Sequence, residues 1–149
     1  MNRIPGMVSF FSRFHEIARF ETSVVTIPPD LPGAPSGQYA FVELYCDVPA
    51  CDCRRVLLQV WQYEKPGVVL ATINYGWETL RFCEKWAHSW EDARDIVAAG
   101  LDPLNPQGPH AEVFLDIFRD FVRKDPKWSA RFRAHYELFK KPTASPARS

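Results

Sequence analysis

The chain has 149 residues, 46% of them hydrophobic, with five Trp, eleven Phe and five Tyr; a chain of this length buries most of the apolar surface its unfolded form exposes, so one core can form without disulfide staples. Eighteen basic residues cancel eighteen acidic ones, which removes the broad electrostatic case for a nucleic-acid partner. No run approaches the ~20 apolar residues of a membrane span, and the apolar run Met7–Phe11 gives way at once to Arg13, His15, Glu16 and Arg19, without a small-residue cleavage pattern, so a cytoplasmic protein is expected.

Residues 9–20, SFFSRFHEIARF, place Phe10, Phe14 and Ile17 at helical spacing and predict an N-terminal helix. Thr22–Ile27 is rich in β-branched residues and stops at Pro28 and Pro29, as a strand does. PPDLPGAPSG over 28–37 is turn chemistry. Two strands follow, YAFVELY at 39–45 and RRVLLQVWQY at 54–63, the second with Val56, Leu58 and Val60 on one face. After the turn EKPG at 64–67, VVLATINY at 68–75 reads as another strand ended by Gly76. The three strands with short connections predict an antiparallel meander, joined by the strand around Val24 to give a sheet of about four.

Helical spacing then takes over. Trp77, Leu80, Cys83 and Ala87 recur at three- and four-residue steps, and Ser89 with Asp92 reads as the cap of a helix over 90–99 that Gly100 ends. Beyond the Pro-rich segment 101–109, Val113, Phe114, Ile117, Phe118, Phe121 and Val122 form a stripe on a third helix; Asp125 and Pro126 start a last one carrying Trp128, Phe132, Tyr136 and Phe139. Strands first and helices afterwards predict an α+β fold: an antiparallel sheet with an N-terminal helix and C-terminal helices on one face, spanning 1–141, with PTASPARS at 142–149 as a disordered tail. Residues 1–118 hold nine basic and fifteen acidic residues, and residues 119–149 nine and three. The basic end reads as a solvated face, with docking of an acidic protein partner as the sharper alternative, for which Arg131, Arg133, Lys140 and Lys141 are the test positions.

One feature exceeds a generic reading: Cys46, Cys51 and Cys53, in YCDVPACDCRR, between the two clearest strands. A turn that presents several thiols can supply most of the four ligands zinc prefers, Pro49 stiffens it, and Arg54 and Arg55 offset the charge of a thiolate-rich centre. A disulfide between Cys51 and Cys53 would close a very tight ring. The fourth ligand is not local. Cys83 and then His110 are the candidates, with a core position and a helix-start surface group as their plainer readings; His15, His88 and His135 are weaker, and Asp47 and Asp52 suit harder ions. A redox pair, Cys51 with Cys53, is the competing use of the same thiols.

Walker, G-x-G-x-x-G, H-E-x-x-H and G-x-S-x-G motifs are absent, which lowers the case for an enzyme. The aromatics between Arg119 and Lys141 share a face that should be buried, so stacking on nucleic-acid bases is not expected. YCDVPACDCRRV, with NYGWE, LDPLNPQ and HYELFK, resembles a family of small bacterial proteins without an established activity, over about Glu21 to Lys140. The resemblance implies a bacterial cytoplasmic protein and carries over no catalytic residue. The sequence reading is therefore a zinc-stabilised interaction domain, against two alternatives: an enzyme using the cysteines as an open metal centre or redox thiols, and an adaptor using the basic helices.

Overall fold

The structure, a computed structural model, describes residues 6–31, 33–85, 90–105 and 107–141. Its centre is the meander β3 (Gly37–Cys46), β4 (Arg55–Gln62) and β5 (Val69–Gly76), antiparallel throughout, with Phe41 opposite Val60 and Leu58 opposite Ile73. Alternation along the strands puts Tyr39, Phe41, Glu43 and Tyr45 of β3 on the same side as Val56, Leu58 and Val60 of β4 and Ala71, Ile73 and Tyr75 of β5. That side is the core face. Helices α5 (Ala111–Lys124) and α6 (Pro126–Lys140) cover it with Phe114, Phe118, Phe132 and Phe139, each at most 4% exposed. Asp125 caps α6, its carboxylate accepting from the Lys127 amide at 3.0 Å with Pro126 in the first turn.

Among the described residues the sheet has six strands rather than about four. The extra ones, β1 (Met7–Ser9) and β6 (Gly100–Leu101), span three and two residues, too few to show a period of two. β1 and β2 (Ser23–Ile27) lie along the same edge of β3: Ser9 sits opposite Leu44 and Ser23 opposite Phe41. They are two pieces of one edge interrupted by a helical excursion, which leaves Val42 and Glu43 facing the gap. The excursion is two helices, α1 (Phe10–Arg13) and α2 (His15–Glu21), where the sequence predicts one. Phe14 breaks it at φ −125°, ψ 58°, and its ring meets Phe10 at 4.9 Å and Phe139 at 6.4 Å. Contact with the core outweighs helix continuity at that residue. Phe10 enters the core face, while Phe11 turns to Trp61 on the other side of the sheet.

Two middle helices, α3 (Leu80–Cys83) and α4 (Trp90–Ala98), bury Cys83, Ala93 and Ile96 as a separate cluster against the end of β5. Gly76 makes this approach feasible: a Cβ there would lie 2.7 Å from Ile96 Cγ2 and 3.2 Å from Cys83 Sγ. At the outer edge of β5, β6 pairs with Ile73 and Asn74, and the Asp102 amide donates to the Thr72 carbonyl oxygen. The Gln107 side chain also engages Thr72, accepting from its N–H and donating to its C=O at 2.9 Å each, and the Gly108 amide donates to Leu70 O. The expected Ser89 cap, His88 and the tail 142–149 lie outside the described residues.

Candidate metal centre

Residues 47–54 connect β3 to β4 and place the cysteine cluster at one end of the sheet. Val48, Pro49, Ala50 and Cys51 form a turn closed by the Cys51 amide donating to Val48 O at 3.0 Å, with Pro49 at the position where a fixed φ favours the bend. The turn carries Cys51 back toward Cys46 at the end of β3. Arg54, at φ +49°, takes the left-handed conformation and redirects the chain into β4, with Cys53 buried just before it. The consequence is convergence: the Sγ atoms of Cys46, Cys51 and Cys53 all lie within 4.8 Å of one another. Thiolates around one zinc ion, at ~2.3 Å from the metal, sit roughly 3.8 Å apart, so a modest contraction suffices. All four cysteines are free thiols.

Neighbouring elements hold the connection from outside. Arg54 is ion-paired with Asp52 at 2.8 Å and with Glu78 at 3.4 Å, and its guanidinium lies over the Phe82 ring of α3 at 4.7 Å. Tyr136 of α6 donates its hydroxyl to Asp52 Oδ1 at 3.1 Å, and Lys140, one turn on, donates to Val48 O at 2.8 Å. The Arg54 hydrogen bond, with smaller contributions from Tyr136 and Lys140, holds the Asp52 carboxyl below its ordinary range.

The electrostatics separate the uses that three thiols could have. Burial, the neighbouring Cys53 and Cys46 thiols, and their hydrogen bonds push Cys51 up to about 11. A redox or nucleophilic cysteine needs a lowered value. Of the two arginines expected to activate these thiols, Arg54 and Arg55, Arg54 is committed to Asp52 and Glu78. Without an ion, Cys51 is a protonated thiol at neutral pH; a bound soft cation supplies the positive charge that stabilises thiolates.

The two expected fourth ligands lie apart from this group. Cys83, 2% exposed, packs with Ala93 and Ile96 beside Gly76; burial raises its pKa, Arg55 lowers it and Cys53 raises it, so Cys83 is near enough to sense Cys53 while its sulfur is not among the three that converge. His110 precedes α5 and lines a cavity of about 140 Å³ with Pro35, Tyr39, Gln62 and Phe114. Tyr39 stands seven residues before Cys46 on β3, or roughly 23 Å along an extended strand. The cysteines and His110 are therefore at opposite ends of the sheet. Asp52 faces Arg54 and Tyr136 rather than the thiols.

Sequence reasoning missed the groups around the connection. Tyr136 reads as one more member of an aromatic stripe, and its hydroxyl bond to Asp52 spans 84 positions. It also missed Glu43, 5% exposed on the core face. The signal was present: Glu43 has the parity of Tyr39, Phe41 and Tyr45, and a carboxylate at a core position needs partners. Among the described residues no helix is long and apolar enough to cross a membrane. No protein-family model, curated protein or solved structure matches the chain.

Proposed function

We propose that this domain binds one zinc ion through Cys46, Cys51 and Cys53, and that the ion serves folding and partner docking rather than catalysis. The convergence of three thiols within 4.8 Å on one short connection carries the reading. Thiolate ligands select soft or borderline ions, and a structural zinc contributes its binding free energy to the fold because the unfolded chain has no preformed site. The ion would tie the end of β3 to the start of β4, where Tyr136 and Lys140 of α6 already attach. Cys83, buried in the adjoining cluster with Ala93 and Ile96, is the candidate fourth ligand in this reading, and it would have to move toward the three converging sulfurs to bind. The cavity lined by His110 opens at the far end of the sheet and gives no support to an open catalytic ion at the thiols.

Elemental analysis of protein purified without a metal-affinity tag tests the reading, comparing the unaltered chain, a variant with Ser at Cys46, Cys51 and Cys53, and Cys83→Ser. About one zinc per chain, lost from the triple variant together with thermal stability, is expected. Zinc weakened in Cys83→Ser identifies the fourth ligand; zinc retained there at full affinity means an open position and favours the enzyme alternative. A metal-free chain under reducing conditions, with a triple variant as stable as the original, would sink the proposal.

A further inference from the structure

A second buried polar cluster adjoins Tyr136 along α6 and involves no cysteine. The side chains of His135 and Glu43 are 2% and 3% exposed. His135 Nδ1 is 2.6 Å from Glu43 Oε1, and Nε2 is 2.7 Å from Glu21 Oε1. Ionised carboxylates only accept, so a ring that serves both is the imidazolium, with a proton on each nitrogen. The Tyr45 hydroxyl donates to the same Glu43 oxygen at 2.7 Å and approaches Phe132 O at 3.2 Å. Phe10 of α1 stacks on the imidazole, 4.1 Å between centroids at 12°. The nearby cations face elsewhere: Arg131 donates to the Glu21 carbonyl oxygen at 3.1 Å, and Arg13 lies over Phe139. Burial works against charge on His135, but the hydrogen bonds and charges of Glu43 and then Glu21 outweigh it, leaving the pKa above the ordinary value.

The cluster's position in the fold gives it leverage. Glu43 stands in the gap between β1 and β2, Glu21 ends α2, and His135 comes from α6. We propose that Glu21, His135 and Glu43 form a proton-operated latch that holds the α1–α2 excursion on β3 and α6, closed while the imidazole carries both protons and loosened when it loses one. A neutral ring has a single N–H, so one carboxylate is left facing a lone pair at hydrogen-bond distance. Glu43 is sealed from water, whereas the Glu21 side chain is 47% exposed. The remaining proton therefore stays on the Glu43 side, and Glu21 is released with α2. Because the folded-state pKa is raised, the latch is fully closed below the ordinary histidine value and opens as pH rises through the folded-state value.

Hydrogen exchange of the full chain between about pH 6 and about pH 9, corrected for intrinsic rates, tests this beside an NMR titration of the His135 ring. Protection over residues 10–22 is expected to fall by roughly threefold or more at the His135 midpoint while α5 keeps its protection. Glu21→Ala, which leaves no side-chain partner for His135 Nε2, should show the lowered protection already at about pH 6 and respond no further. Protection over 10–22 that ignores the His135 titration, or that falls equally across α5, overturns the proposal. Should Glu21→Ala fail to fold, the unaltered chain decides the matter alone.

Discussion

The thiol triad and the Glu21–His135–Glu43 cluster are two concentrations of polar chemistry at the margin of one core, and they are built in opposite ways. The triad comes from eight consecutive residues and crowds three like groups together: burial first, and then the neighbouring thiols, push Cys51 up to about 11. The histidine cluster comes from positions 21, 43 and 135 and is internally complete, with a carboxylate on each ring nitrogen and a tyrosine on one of those carboxylates. A cluster of like thiols invites a cation from outside, while one that pairs opposite charges holds the chain to itself.

Removing a member should therefore affect the two clusters differently. His135→Ala leaves Glu43 buried with only the Tyr45 hydroxyl, and breaking a buried ion pair on one side costs about 3–5 kcal/mol; urea denaturation should register a shift in the folding equilibrium of a hundredfold to several thousandfold, roughly. A loss below about 1 kcal/mol would mean the cluster is not a charged pair. For the triad, metal-free Cys51 should alkylate with iodoacetamide about tenfold faster per pH unit from about pH 7 to about pH 9, with no plateau, because its pKa lies near 11. A plateau near neutrality would restore the redox reading. Tyr136→Phe is the mildest test. It removes the hydroxyl bond to Asp52 from a residue whose ring stays packed against Trp77, at a cost of about 1 kcal/mol or roughly fivefold in thermal-melt analysis, and it should leave metal stoichiometry unchanged.

The same contrast explains what could be read from the chain. The meander, α5, the start of α6 at Asp125 and the cysteine triad are local: period, cap and spacing lie within a few residues of one another. The split at Phe14, β1, β6 and the partners of Glu43 are not, because each depends on residues tens of positions away, such as Phe139 for Phe14 and His135 for Glu43. His110 shows the reverse error. Its type suits a metal, but a position at the start of α5 places it beside Tyr39 and Gln62, at the end of the strands away from the thiols.

Gln107 has a bearing on how the sheet ends. Backbone groups along an open strand edge are a template on which another chain can add, and natural sheets defend such edges. On the outer edge of β5 the defence is a side chain: one amide takes both the N–H and the C=O of Thr72, between the short pairing of β6 on one side and the Gly108 amide on Leu70 on the other. Two strand residues, the Asp102 and Gly108 amides and one glutamine side chain thus occupy a row that would otherwise need a full strand, and recruitment of a foreign strand at that edge would first have to break the bonds that they make.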